Sequence, residues 1–279
     1  MKKIFVAFAA LAVSAAVLSA QDLTVAMETF NKAATILNDE NGNKAEALAL
    51  FQEALVQGEA CGEEAAELVA NCKKVIPEVT LSVAKGMIND ANYDEALVKL
   101  DEAAAKAAEY GVEGVADEAN GLIPNVYLRK GSTLLKAKDF AGAAEAFQKI
   151  VAADPTDGQA QLLLGQAYLQ TGKTDEAIDA LVKASENGKE AQANKLLSST
   201  YLKKGASLMK DNKTAEAIEA FENSNKYGES ANAYKMLANA YSKLEKKKEA
   251  IAAAKKYLEI SPDAKDAATY KQLIEVLSK

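Results

Sequence analysis

One short pattern returns six times along this chain. In it an acidic or polar residue precedes alanine, and the alanine precedes an aliphatic residue or a second alanine. The copies begin at Glu46-Ala47-Leu48, Glu95-Ala96-Leu97, Gly142-Ala143-Ala144, Glu176-Ala177-Ile178, Glu216-Ala217-Ile218 and Glu249-Ala250-Ile251. In the first five a bulky apolar residue stands four positions after the alanine: Phe51, Leu100, Phe147, Leu181 and Phe221. The sixth carries Tyr257 instead. The alanines are spaced 49, 47, 34, 40 and 33 residues apart. A period of this length means stacked supersecondary units, none of which can bury its apolar stripe alone.

A second set of small residues keeps step with the first. Ala84, Gly131, Gly165, Gly205 and Ala238 each lie twelve residues before a pattern alanine. Three positions further on come Met87, Leu134, Tyr168, Leu208 and Tyr241, while Pro155 and Pro262 lie twelve after Ala143 and Ala250. Residues 127–147 and 201–221 also match each other directly, at 11 of 21 positions. Glycine inside a helix costs about 1 kcal/mol relative to alanine, so Gly131, Gly165 and Gly205 point to close helix packing. Small residues there let two backbones approach, and the bulky residue of the pattern fills the gap between neighbouring units. A plain bundle of alanine-rich helices gives no reason for the regular spacing.

This order of small, aromatic, small, bulky and small residues closed by proline resembles the tetratricopeptide-repeat family, over roughly residues 24–263, most clearly from Leu164 through Ala184. The resemblance implies an all-α, right-handed α-solenoid of about six helix-turn-helix units. Helix pairs are expected at 22–58, 77–109, 124–154, 158–188, 198–227 and 231–260. The solenoid is thus assigned to residues 21–263, and a capping helix to 264–279. The longer intervals suggest longer helices or added turns. Residues 63–75 and 113–122 are helical in pattern, so Pro77 and Pro124 either start helices or lie inside long, kinked ones, which is the reading favoured here.

The first 20 residues read as a signal peptide: Lys2 and Lys3, an uncharged run from Ile4 to Leu18, then Ser19-Ala20. The run is shorter than the roughly 18–20 residues that span a bilayer, and no cysteine follows the cut to anchor a lipid. The expectation is a periplasmic or extracellular protein with no membrane span. Beyond the cut the chain carries a net charge of −9, which argues against nucleic acid as the main partner. In an oxidising compartment Cys61 and Cys72 invite a disulfide. Eleven residues of helix rise about 16 Å, however, which favours two free thiols.

The chain has no histidine. Serine or cysteine triads that use histidine are therefore excluded, and no phosphate-binding glycine loop is present. Two cysteines cannot complete a four-ligand zinc site. Carboxylates fall mostly on solvent faces or at helix starts, where the helix dipole favours them. No catalytic residue, metal or cofactor is expected, and the function expected is protein binding.

The resemblance also implies that the first helix of each pair lines a concave surface. The positions that would face a partner there are Lys85, Arg129, Lys136, Gln166, Gln170, Lys203, Lys210, Lys235, Asn239 and Lys243. With Glu78 added, these inward positions hold seven basic residues and one acid. A basic groove in an acidic protein would attract an acidic peptide or protein segment. Lys235 and Asn239 match the start of the carboxylate clamp that chaperone-tail-binding members use, but no two units follow to complete it. Residues 21–125 are net −13 and residues 235–279 net +4. That contrast opens an alternative role, in envelope assembly through weak head-to-tail self-association.

Overall fold

The computed structural model describes residues 19–279. The targeting segment assigned to residues 1–20 therefore lies outside the described residues except for its last two. Thirteen α-helices and no strand occur among the described residues. They are α1 Ser19–Asn38, α2 Lys44–Ala60, α3 Ala66–Asn89, α4 Tyr93–Tyr110, α5 Val115–Lys136, α6 Phe140–Ala153, α7 Gly158–Gln170, α8 Thr174–Ala184, α9 Glu190–Lys210, α10 Thr214–Tyr227, α11 Ala231–Lys243, α12 Lys247–Ile260 and α13 Ala267–Leu277. Consecutive helices pack in hairpins, and α13 packs on α12 as a cap would. The chain divides into two compact units, the first ending at Lys130 and the second spanning Gly131–Lys279, with the boundary inside α5.

Uneven spacing in the sequence has a simple origin. The first helices α7 and α11 have 13 residues each, and the intervals that contain them are 34 and 33. The first helices α3, α5 and α9 have 24, 22 and 21 residues, and their intervals are 49, 47 and 40. Extra length is added at the amino-terminal end of the first helix. Both α3 and α5 run through their prolines, Pro77 and Pro124. The expectation of a helix pair over 158–188 and a new start at 198 needs correction. Helix α8 ends at Ala184, the backbone leaves the helix at Asn187 and Gly188 (φ +83°), and α9 begins at Glu190. Ala193 and Leu197 explain the early start, since both are fully buried and secure the added turns to the core.

Packing inside each hairpin turns on the glycines. A Cβ placed on Gly131 would lie 2.5 Å from Phe147 Cε1, and one on Gly205 the same distance from Phe221 Cε1. On Gly165 it would meet Leu181 Cγ at 2.7 Å. The small residue thus makes room for the bulky side chain sixteen positions later in its own hairpin. This corrects the expectation that the bulky residues fill the gap between neighbouring units. Phe51 behaves alike, meeting Phe30 of α1 edge-on with ring centroids 5.1 Å apart. Phe51, Phe147, Phe221, Leu100 and Leu181 are all 0% exposed.

Contacts between hairpins also repeat. Tyr168 accepts a hydrogen bond from Gln148 of the preceding hairpin, and Tyr241, at the equivalent place, donates one to Glu222. Lys204 Nζ lies 2.5 Å from Asp175 Oδ1, and Lys130 makes the equivalent ion pair with Asp94.

Five of the hairpin turns share one geometry. The residue two places after the first helix is left-handed: Ala91 (φ +62°), Lys138 (+62°), Gly172 (+77°), Asn212 (+59°) and Glu245 (+57°). The next N–H then reaches back five residues in every case, at 2.9–3.0 Å, from Asn92, Asp139, Lys173, Lys213 and Lys246 to Met87, Leu134, Tyr168, Leu208 and Tyr241. This is the Schellman arrangement, which satisfies carbonyls that the helix end leaves open.

Candidate interaction surface

The turn geometry fixes where the expected site residues stand. Lys136, Gln170, Lys210 and Lys243 are the last residues of α5, α7, α9 and α11. Each lies two places before the left-handed turn residue, and all four are exposed. All belong to the second compact unit and recur once per hairpin. Lys203 is exposed in the middle of α9, and Gln166 is half-buried in α7.

The last two rungs are close enough to touch. Lys243 Nζ donates to Asn212 Oδ1 at 3.0 Å, so a side chain at one rung reaches the turn below it. An amide accepts this bond without neutralising the charge. Lys136, Lys203 and Lys210 form no hydrogen bond or ion pair within the described residues.

Four other expected residues stand differently. Lys85 and Arg129 belong to the first unit. Lys85 Nζ pairs with Glu118 Oε1 at 2.6 Å, and the Arg129 guanidinium lies 5.8 Å from the centre of the Tyr93 ring. Lys235 and Asn239 lie in the second unit but are engaged by the carboxy-terminal segment. Lys235 Nζ lies 3.1 Å from Asp266 Oδ2, and Asn239 Oδ1 accepts the Tyr270 hydroxyl at 2.9 Å. Asp266 also accepts from Tyr257. That bond, and then Lys235, hold the Asp266 carboxyl below its ordinary value, while the same bond pushes the Tyr257 phenol up to about 12.

As far as α11 the helices of this unit separate charge by class, whereas the last second helix, α12, departs from the pattern with four lysines and two acids. The first helices α7, α9 and α11 carry six lysines and one glutamate. The second helices α6, α8 and α10 carry seven acids and three lysines. Helix α7 has no charged residue at all. The sequence alone did not bring out the neutral step at α7 or the shared position of the rungs at helix ends. Three of the four rung residues are lysines that close a first helix, and the helix ends would have revealed the pattern. Lys130 and Lys204, adjacent to the site positions in sequence, serve the ion pairs between hairpins. Among the described residues no three acidic or cysteine side chains converge as metal ligands, and no helix is long and apolar enough to cross a membrane.

Residues 134–199 match one family described as tetratricopeptide repeat, and residues 202–265 match a second of the same description. No curated protein matches the chain. Solved structures that resemble it include a MamA protein, at 24% identity over 57% of this chain and 87% of that one, with a TM-score of 0.38. YrrB, a tetratricopeptide-repeat protein with an unusual peptide-binding site, is 18% identical over 70% of this chain and 91% of its own, with a TM-score of 0.36. The carboxy-terminal part of a repeat-containing protein from Cytophaga hutchinsonii is 19% identical over 89% of this chain and 98% of its own, at 0.41.

Proposed function

The chain is a tetratricopeptide-repeat protein, a class of protein-interaction module, and on that premise we propose that it is an exported scaffold. Its second unit holds an acidic peptide or protein segment against the first helices of its hairpins. The observation that carries this reading is the charge separation between α7, α9 and α11 on one side and α6, α8 and α10 on the other, with Lys136, Lys203 and Lys210 unneutralised. Gln166 and Gln170 supply neutral donors and acceptors beside them, and Lys243 adds a fourth charge.

Surface charges of this kind speed encounter more than they deepen affinity, and salt screens them. Replacing Lys136, Lys203 and Lys210 together by glutamate should abolish binding of a labelled glutamate-rich peptide. In the unaltered protein that binding should weaken as salt rises. Undiminished binding by the triple variant would refute the assignment of the surface.

Export rests on Lys2, Lys3, the apolar run and Ser19-Ala20. Mass spectrometry of the protein from the native cell's envelope fraction should give a chain beginning at Gln21. A chain beginning at Met1 in the cytoplasmic fraction would refute it. The contrast between residues 21–125 and residues 235–279 supports a second role in weak self-association. Light scattering should then show a mass that falls as salt rises, and a salt-independent monomer would remove that role.

A further inference from the structure

The rungs are not equally charged, and their order specifies a ligand. Four successive first helices end in Lys136, Gln170, Lys210 and Lys243, so the run of exposed side chains reads charge, amide, charge, charge. The turns that hold them are alike, each with its left-handed residue and its bond back five positions. The Lys243 contact to Asn212 shows that the last two rungs, on α9 and α11, lie within one side chain of each other. Packed helices lie about 8–10 Å apart, and one such step per hairpin, as the contact between the last two rungs allows, would put Lys136 and Lys210 about 20 Å apart and Lys243 about 10 Å beyond. An extended peptide advances about 3.3 Å per residue, so these intervals correspond to about six and about three residues.

We propose that this surface selects extended segments in which two carboxylates stand about six residues apart, with a third about three residues further on, and in which the residue opposite Gln170 is uncharged. The proposal deepens the reading given above and rests on it. A carboxylate opposite Gln170 would give up water for an amide that brings no charge. One opposite Lys136 or Lys210 meets an ammonium that has no partner among the described residues. An ordered row of charges with a neutral gap can therefore tell a spaced acidic segment from a contiguous acidic block of equal charge.

The test uses the full mature chain and two fluorescein-labelled peptides of one composition, with glutamate as the only charged residue and glycine and serine elsewhere. One has its three glutamates at the proposed spacing, and the other has them adjacent. At low ionic strength, where the screening length is about 30 Å, the spaced peptide should bind at least about threefold more tightly, the scale of one exposed ion pair. A third peptide adds a glutamate opposite Gln170. Gln170→Lys should raise the affinity of this third peptide about threefold to fivefold more than it raises that of the spaced peptide, and an equal rise for both would overturn the neutral position. Equal binding of the spaced and contiguous peptides would overturn the spacing rule but leave the scaffold reading intact. Failure of every peptide to bind would overturn both. Oligothymidylate that binds as tightly as the spaced peptide would overturn the assignment to a peptide.

Discussion

Alanine at Gly205 and alanine at Gly121 should change stability in opposite directions, although both glycines lie inside helices. In general, alanine stabilises a helix interior by about 1 kcal/mol relative to glycine. At Gly121 of α5 no atom lies within 4 Å of the added Cβ, so this gain should appear in full. At Gly205 the Cβ would sit 2.5 Å from Phe221 Cε1 and 2.7 Å from Cδ1, where ordinary contact begins at 3.4 Å. The ring must retreat by roughly 1 Å, and at 0% exposure it cannot do so into solvent. Overpacking of this kind costs about 1–3 kcal/mol. Set against the helix gain, the net effect is a loss of about 1 kcal/mol. Urea denaturation followed by circular dichroism should therefore move the midpoint up by about 0.5 M for Gly121→Ala and down by a similar amount for Gly205→Ala, for a slope near 2 kcal/mol/M. Phe221→Leu should cost less in the Gly205→Ala background than alone, because the shorter side chain vacates the contested space. A midpoint that rises for Gly205→Ala as it does for Gly121→Ala would refute the docking of ring on glycine.

Three further outcomes follow from the same geometry. Lys138 and Glu245 adopt left-handed backbones at positive φ, so Lys138→Gly and Glu245→Gly should each raise stability by about 0.5–1 kcal/mol in the same denaturation assay, because only glycine escapes the steric penalty. The Asp266 carboxyl is held below its ordinary value by Tyr257 and then Lys235. Its contribution is thus present above the unfolded value of about 3.9 and lost as pH falls through the lower folded one. The thermal midpoint of Asp266→Asn should accordingly fall less than that of the unaltered protein on acidification below about pH 4. Burial, and then Glu59, push the Cys72 thiol up to about 12, while Cys61 is half-exposed. At about pH 8 a thiol reagent should therefore modify Cys61 alone in the native protein and both cysteines in denaturant; two reactive thiols before denaturation would contradict the packing of Cys72.

The repeat was legible because its residue types answer to a local constraint. Gly131 and Phe147, or Gly205 and Phe221, occupy one volume between them, and selecting one size fixes the other sixteen positions away. The length of the first helices was only half legible. Intervals of 49, 47 and 40 announced extra residues, but helix continuity through Pro77 depended on burial. Pro77 is one of the largest fully buried side chains, and Ile76, Val79 and Thr80 around it are buried too. That packing offsets the lost backbone bond, and a window of sequence cannot weigh it against the intrinsic cost of proline. The early start of α9 is not legible in the sequence for the same reason, because Ala193 and Leu197 gain their burial from other helices. The resemblance implies that Lys235 and Asn239 face a partner, but a repeat position does not show that Asp266 and Tyr270 fold back onto them.

The position of the rung lysines has a purely structural cause as well, and separating the two decides how far the functional reading extends. A cation at the end of a helix complements its dipole and gains about 0.3–1 kcal/mol, so Lys136, Lys210 and Lys243 would be favoured there with no ligand at all. The dipole does not account for Lys203, which lies seven residues before the end of α9, beyond the last turn in which that effect acts. Nor does it account for the lack of any carboxylate on α7 and α11, or for the seven acids on α6, α8 and α10. Helix stability alone would let acids and bases mix on the exposed face of every helix, since opposite charges four residues apart stabilise it. Keeping acids off two of the three first helices gives up those pairs, and although Lys204 and Lys235 find partners on other elements, Lys203 and Lys210 have none among the described residues. Lys203 is therefore the sharper probe. Its replacement by glutamine should leave the denaturation midpoint unchanged while weakening acidic-peptide binding about twofold to fivefold. A stability loss equal to that of Lys210→Gln, with binding intact, would reduce the whole row to helix capping.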